Sequence, residues 1–230
     1  MQKKYKGILL YVKIHKENDL LVKLLTNKDE LVSGIVYGGQ SKKKKNLFQI
    51  GFFLEFEVNF KLNRPPSINA ELSKPYISNI INDKYKINCV ICITSLINIC
   101  IIEGQKVNNI YYIVESFLIL IHSNKKWFNE FCIFLFELLK VIGYEISFIE
   151  NLDNKYFDLE NLEFTSTNKK NSIEFPYMLL DKKNFKIKKL EVIRFFKIFE
   201  TVFGRYHLSN FNLDLPNQYY LFKNLIIDKL

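Results

Sequence analysis

The chain has 230 residues, of which 48% are hydrophobic, with 13 Tyr and 21 Phe. This apolar content excludes a disordered chain, and the length allows one large or two small domains with a buried core. The formal net charge of +9 is unevenly spread, since residues 1–80 hold 14 basic and 7 acidic side chains but residues 81–230 hold 19 and 17. That asymmetry is expected of a polyanion-binding module joined to a more neutral body.

Alternating apolar residues predict five short β-strands in the first eighty residues. The strands span residues 5–15, 20–25, 31–37, 52–60 and 68–72. Gly34 is expected to mark a bulge or a bend in the third strand, and Pro65-Pro66 predicts an extended turn before the fifth. In the fourth strand the residues expected to face one side are Phe52, Leu54, Phe56, Val58 and Phe60. Several small closed or partly open barrels fit this pattern, and the OB-fold is the commonest of them that binds nucleic acid.

From residue 84 the apolar periodicity becomes helical. A first helix starts at Lys84 and is closed by Gly104, and its apolar residues predict burial nearly all round. The further helices are predicted over residues 107–122, 125–142, 189–203 and 216–227. Residues 145–188 are less regular and predict a small hairpin or irregular insert. We therefore predict an OB-type barrel domain over residues 1–80 and a mainly α-helical domain over residues 81–230.

The most distinctive stretch is Gly38-Gly39-Gln40-Ser41, which is followed by Lys42, Lys43, Lys44 and Lys45. The paired glycines permit a sharp chain reversal, so the lysines are expected to project into solvent. An anionic polymer would relieve the repulsion among four adjacent ammonium groups while releasing its own counterions. The alternative is a solvated charge run at a loop tip.

Other residues near this turn are candidates for the same polyanion-binding surface. Lys23 and Lys13 would add positive charge. Tyr37 and Phe48 would either stack on unpaired bases or pack inside the barrel.

The four cysteines suit a reducing compartment. Cys89 and Cys92 form a C-x-x-C pair, but Cys100 and Cys132 follow without the spacing of a zinc ribbon. Because the first three lie in an apolar helical run, we interpret them as small buried hydrophobic side chains, with a metal or redox role as the alternative. The longest apolar stretch, residues 87–102, is shorter than a bilayer span, and no signal peptide is predicted, so we expect a cytoplasmic protein.

No catalytic constellation is evident in the sequence. His15, His122 and His207 fall in different predicted elements, and no P-loop, G-x-S-x-G or H-E-x-x-H motif occurs. The carboxylates of Asp153, Asp158 and Glu160 are interpreted as solvating charges on a polar loop. We therefore predict neither an enzyme nor a bound cofactor.

Four segments of the N-terminal third resemble the start of the bacterial RecO family of recombination mediators. They are Gly-Ile-Leu-Leu at residues 7–10, followed by residues 15–26, 31–43 and 47–51. The similarity continues through residues 136–144 and more faintly through residues 189–225.

This resemblance implies an OB-fold followed by a helical domain in a nucleoid-associated protein. Such a protein would bind single- and double-stranded DNA, anneal complementary strands, and work with RecR to load RecA onto DNA coated by single-strand-binding protein. Zinc-containing members carry cysteines in the segment matching residues 145–190, where this chain has none, so we predict no metal. The chain also departs from basic residues found in some members, with Ile133 in the third helix and Leu215-Pro216-Asn217 before the last.

Docking of the acidic tail of single-strand-binding protein would need an apolar groove rimmed by basic side chains. Candidates on the third helix and on the helix after residue 189 are Lys126, Lys140, Arg194 and Lys197, with solvated helix faces as the alternative. Two other functions stay open: an OB-type RNA-binding or translation-associated protein, and a metal-dependent nuclease.

Overall fold

The computed structural model describes residues 1–123, 126–181 and 187–230. Residues 124–125 and 182–186 lie outside the described residues; they include the predicted start of the third helix and part of the predicted insert. The chain forms two compact units, residues 1–122 and 123–230. A domain boundary near residue 80 stays a prediction.

A closed barrel of five strands, in the order β1-β2-β3-β5-β4, fills the first part of unit one. All neighbouring strands are antiparallel except β3 and β5, which meet in parallel at Ile35 and Ser67. This order is that of an OB-fold, so the predicted fold class is confirmed. The strands are β1 Gln2–His15, β2 Asp19–Thr26, β3 Leu31–Val36, β4 Phe53–Lys61 and β5 Arg64–Lys74.

The apolar residues at alternate positions of β4 contribute to the core of the barrel. Leu54, Phe56 and Val58 are at most 2% exposed, as the pattern predicts. Phe60 does not follow it, because it is 38% exposed near the end of the strand, where the Lys3 ammonium lies 5.8 Å from its ring. Phe53, on the opposite face, is also buried, and its ring packs edge-on against Tyr76. The strand is therefore buried on both faces at its start.

The prediction that Pro65-Pro66 forms a turn ahead of the fifth strand is wrong. Both prolines lie inside β5. The register between β4 and β5 shifts next to them, between Asn59 and Lys61. An irregular ladder tolerates residues without an N–H donor, which explains why the strand passes through two prolines.

Gly34 lies where the barrel closes. β3 pairs with β2 across this residue without a register shift, so the bulge interpretation is wrong. A Cβ atom at this position would lie 2.8 Å from the carbonyl oxygen of Pro66 and 2.8 Å from the side chain of Ile68. The missing side chain therefore permits the close approach of β5 to β3.

The helices of unit one are α1 Lys84–Cys100 and α2 Ile110–Ser123. Asp83 caps α1, since its carboxylate accepts the backbone N–H groups of Tyr85 and Lys86. The helix ends at Cys100, short of the predicted stop at Gly104, because the next residue is already extended. The cysteines of α1 are buried as interpreted, and burial raises the pKa of the Cys100 thiol to about 12.

Asp29, in the turn between β2 and β3, ties the barrel to α2. Its carboxylate accepts the backbone N–H of Asn109 at 3.1 Å and that of Tyr111 at 3.0 Å, at the start of the helix. Its carbonyl oxygen accepts the N–H of Val107 at 3.0 Å. A negative side chain at this end of a helix satisfies unpaired N–H groups and complements the helix dipole.

Replacement of Asp29 by alanine is expected to lower the free energy of unfolding by about 1–2 kcal/mol, the usual cost of losing a helix cap. Asp29 also has a φ of +65°, which alanine tolerates less well than Asp or Asn. Urea unfolding followed by circular dichroism measures the effect. Asp29→Asn is the matched control, since it keeps an acceptor oxygen and the tolerance for positive φ. Equal stability of Asp29→Ala and the wild type would contradict the capping role.

Unit two combines helices with a small antiparallel sheet in the order β7-β6-β8. The predicted hairpin is present as β6 and β7, and a third strand, absent from the prediction, completes the sheet. After α5, residues 200–207 continue as a π-helical segment. The elements are α3 Trp127–Val141, β6 Tyr156–Asp158, β7 Glu163–Thr165, β8 Ser172–Glu174, α4 Tyr177–Leu180, α5 Lys189–Phe199 and α6 Asn217–Lys229.

Aromatic side chains form about half of the core of unit two. The predicted inward residues of the helix after residue 189 are all fully buried, namely Val192, Phe196, Phe199 and Phe203. The ring of Phe131 from α3 packs 4.9 Å from that of Phe222 in α6. Across the described ranges, no helix has both the length and the apolar character needed to cross a bilayer.

Candidate nucleic-acid interface

The segment between β3 and β4, residues 37–52, is held at both ends; we call it the lysine loop. At its start, the N–H of Gly38 donates to the Asp19 carboxylate at 2.9 Å, and the N–H of Gln40 donates to the carbonyl of Asn18 at 3.0 Å. At its end, the N–H of Gly51 donates to the carbonyl of Leu9 at 2.7 Å. The loop is therefore fixed to β1, to β2 and to the turn between them.

The structure favours glycine at both positions at the start of the loop, for different reasons. Gly38 has a φ of +64°, in the left-handed region that glycine enters without strain. Gly39 lies so close to Leu20 that a Cβ atom would approach that side chain to 2.8 Å. The predicted sharp reversal thus combines a turn conformation with a close contact to β2.

The four lysines form the outward part of this loop. The carbonyl oxygen of Ser41 accepts the N–H groups of Lys44 and Lys45, which makes a single helical turn. All four side chains are exposed, and the Lys44 ammonium donates to the carbonyl of Tyr37 at 3.2 Å. Within the described part of the chain, Lys42 to Lys45 form no ion pair with a carboxylate. Their charge is therefore uncompensated and available to a polyanion.

Lys13 and Lys23 lie on the same face of the β1–β2 ladder. Tyr11 pairs with Lys23, and Lys13 pairs with Leu21 two residues further along. Lys13 is exposed, whereas Lys23 is partly covered and its ammonium lies 3.8 Å from the Glu103 carboxylate. Lys13 is therefore the more available of the two cations.

Lys16 is a basic residue that the sequence analysis did not assign to the site. It is exposed in the β1–β2 turn, two residues before Asn18, whose carbonyl holds the lysine loop at Gln40. Its φ of +55° lies in the left-handed region that occurs in tight turns. The hydrogen bond from Gln40 to Asn18 shows that this turn lies beside the start of the lysine loop.

The two aromatic candidates differ in exposure. Tyr37 is 55% exposed at the start of the loop, so it is accessible to a base. Phe48 is 6% exposed, and a buried ring cannot stack on a base in this conformation. We therefore correct the assignment of Phe48, which packs in the interior, and retain Tyr37.

Among the grooves described in unit two, none is lined by all four predicted tail-binding cations. Lys140 forms an ion pair with Glu145 at 2.5 Å, and Lys197 lines a different groove. Lys126 is partly buried just before α3. Arg194 lies between two carboxylates, 2.5 Å from Glu174 and 2.9 Å from Glu191.

Arg194 links α5 to β8 through its ion pair with Glu174. Burial alone would raise the pKa of the Glu174 carboxyl, but Lys155 and Arg194 outweigh it and hold that pKa below its usual value. The Arg194 side chain is only 19% exposed and is already engaged by both carboxylates. It is therefore poorly placed to receive the charge of a partner, and we remove it from the candidate tail-binding cations.

An apolar groove of about 400 Å³ does exist in unit two. Its apolar lining comprises Ile133, Phe136, Ile146, Phe148 and Ile149. Among the described residues, however, its charged rim contains Glu137, Glu145 and Glu150 against one cation, Lys140. An acidic tail would meet like charge there, so this groove does not match the predicted requirement.

The residues considered for catalysis are dispersed. His122 lies 2.8 Å from the Asn79 amide, and His207 is buried in unit two. Asp158 is not the solvated loop charge that was predicted, because it is 4% exposed and accepts the N–H groups of Asn161 and Glu160, which lower its pKa. Over the residues that the structure describes, no three His, Cys, Asp or Glu side chains group as metal ligands. The absence of a metal stays a prediction.

Comparison with known proteins agrees with this architecture. Residues 1–69 match the family described as "Recombination protein O N terminal". The chain is 29% identical over 141 residues to the DNA repair protein RecO of Rickettsia canadensis, covering 61% of this chain and 58% of that protein. A match to RecO of Rickettsia bellii, also 29% identical, covers 62% and 58%. Residues 1–69 are therefore similar to the N-terminal domain of Recombination protein O, and the chain is similar to DNA repair proteins RecO over about three fifths of its length.

Proposed function

We propose that this protein is a DNA-binding recombination mediator that acts in DNA repair without making or breaking covalent bonds. The proposal rests mainly on the lysine loop. This loop is fixed to the OB-fold barrel and carries four exposed ammonium groups whose charge is uncompensated. The resemblance of the chain to DNA repair proteins RecO supports the same conclusion.

Annealing requires that two polyanions be held close together while their bases stay free to pair. Lys42 to Lys45, with Lys13 and Lys16, would screen the repulsion between phosphates through contacts that do not depend on base sequence. Tyr37 would stack on an unpaired base, which favours single strands without selecting a sequence. Binding of this kind weakens steeply as the salt concentration rises.

The proposed partners follow from the family resemblance. The protein would act with RecR to load RecA onto single-stranded DNA coated by single-strand-binding protein. For the acidic tail of that protein, Lys126 and Lys197 are the candidate contacts that we retain. Lys140 and Arg194 each form an ion pair with a carboxylate. The proposed location is the cytoplasm, at the nucleoid.

The most informative experiment is strand annealing on complementary oligonucleotides precoated with single-strand-binding protein. We expect the protein to accelerate annealing at low salt and to lose this effect as salt increases. No acceleration on either bare or coated strands would contradict the proposal.

Two further arms of the same experiment address the other functions. Structured RNA added as a competitor should not displace single-stranded DNA preferentially, and preferential displacement would favour an RNA-binding protein. Incubation with magnesium or manganese should leave the oligonucleotides intact, and cleavage products would favour a nuclease.

A further inference from the structure

A groove in unit two carries a second cluster of basic side chains; we call it the basic groove. It has a volume of about 640 Å³ and lies between the sheet and the end of α5 with the π-helical segment that follows. Three basic side chains line it, Lys170, Lys197 and Arg205. All three are exposed, and within the described part of the chain none of them forms an ion pair.

The two acidic residues of the basic groove have different partners, a cation for Glu200 and a neutral amide for Glu160. Glu200 forms an ion pair with Lys223 at 2.5 Å. Glu160 accepts a hydrogen bond from the side-chain amide of Asn171 at 2.6 Å. With Lys223 included, four basic side chains surround two acidic ones, so the groove keeps an excess of positive charge.

The walls of the groove are held together by hydrogen bonds. The Tyr206 hydroxyl donates to the carbonyl of Glu160 at 2.6 Å and joins the π-helical segment to the turn after β6. The Asp158 carboxylate fixes that turn by accepting the N–H groups of Glu160 and Asn161. The basic side chains therefore project from fixed backbone positions.

The lining of the groove favours phosphates over an acidic peptide. Its other described lining residues are mostly polar, with Leu159 and Ile173 as the two apolar side chains among them. An amphipathic acidic peptide needs an apolar surface for its hydrophobic residues, which this groove offers little of. A guanidinium and two ammonium groups instead suit the oxygens of a phosphodiester backbone.

We propose that the basic groove is a second phosphate-backbone site, which binds single-stranded nucleic acid through Lys170, Lys197 and Arg205 independently of the lysine loop. This inference rests on the proposed function, because it assigns the same ligand class to the second unit. The volume of the groove exceeds what one phosphate fills and is comparable to that of small-molecule sites, so we assign it a short stretch of backbone.

The test compares two double variants with the same loss of charge. Lys197→Gln/Arg205→Gln removes two cations from the groove, and Lys188→Gln/Lys189→Gln removes two exposed cations of the same unit that do not line it. Binding of a labelled single-stranded oligonucleotide is measured by fluorescence anisotropy over a salt series. We expect the groove variant to bind the oligonucleotide about 10-fold more weakly near 0.1 M salt. The slope of log affinity against log salt concentration should become shallower by about 1.4, and the control variant should stay close to the wild type.

Each outcome separates the two proposals. If the wild-type protein does not bind the oligonucleotide, the proposed function itself fails. If the wild type binds and both double variants behave alike, the assignment of the basic groove is overturned. If the groove variant loses binding to an acidic peptide but keeps its affinity for DNA, the groove is a peptide site instead.

Chemical protection checks the site without a mutation. Acetylation of lysines in the wild-type protein, mapped by mass spectrometry, should slow at Lys170 and Lys197 when the oligonucleotide is added, while Lys188 and Lys189 stay reactive. Inorganic phosphate at the same phosphate concentration should give no protection. Equal protection by inorganic phosphate, or none by the oligonucleotide, would overturn the assignment.

Discussion

Charge reversal of Lys42 to Lys45 to glutamate is expected to lower the affinity for single-stranded DNA by at least about 100-fold near 0.1 M salt. Four attractive contacts become repulsive, so the dependence of log affinity on log salt should flatten by about 3. The exposed side chains contribute little to packing, so the fold should remain intact. Anisotropy titrations at several salt concentrations measure the affinity, and circular dichroism checks the fold.

Two variants with fewer substitutions distinguish the effect of where the charge lies from the effect of how much charge is changed. Lys42→Glu/Lys43→Glu and Lys188→Glu/Lys189→Glu each reverse two adjacent exposed lysines, the first in the lysine loop and the second at the start of α5. The loop pair should weaken DNA binding more than the α5 pair does. Equal weakening would show that overall charge, and not the loop, determines affinity. Unchanged affinity of the fourfold variant would refute the loop as a binding site.

Replacement of Gly34 by alanine is expected to lower the free energy of unfolding by about 1–3 kcal/mol, the usual cost of overpacking a core. The new methyl group would lie 2.8 Å from both the Pro66 carbonyl oxygen and the Ile68 side chain. A side chain can adopt another rotamer, but the backbone oxygen moves only if β5 moves away from β3. Urea unfolding followed by circular dichroism measures the loss.

Gly204→Ala is the control for this variant. A Cβ atom at Gly204 would meet nothing closer than the Leu215 side chain at 3.8 Å, an ordinary van der Waals distance. Alanine there should leave stability unchanged or slightly raised, because it reduces the freedom of the unfolded chain. If Gly34→Ala were as stable as Gly204→Ala, the close approach of β5 to β3 would not constrain the barrel.

The barrel strands were predictable because local alternation and the tertiary fold agree. Leu54, Phe56 and Val58 occupy every second position and all lie in the core. The role of Gly34 was only partly visible, since its close contact is with Pro66 and Ile68, about thirty residues later in the chain. Local signals predict that a chain bends or turns, but they do not identify what approaches it.

At the candidate site, too, local features were predictable and tertiary contacts were not. Four consecutive lysines after two glycines predicted an exposed loop, and the structure places all four side chains in solvent. The burial of Phe48 and the engagement of Arg194 by Glu174 depend on tertiary contacts, so no local pattern could predict them. The basic groove was missed for this reason, because Lys170, Lys197 and Arg205 come from separate segments.

The barrel closes between β3 and β5 through a single parallel pair of residues; we call this contact the seam. Only Ile35 and Ser67 pair there, whereas the antiparallel neighbours share long ladders. Transient local opening of the native protein should therefore begin at the seam. An open seam presents two unpaired strand edges, which invite addition of a strand from another copy. The absence of a side chain at Gly34 allows the barrel to close, and the closed seam keeps these two strand edges covered.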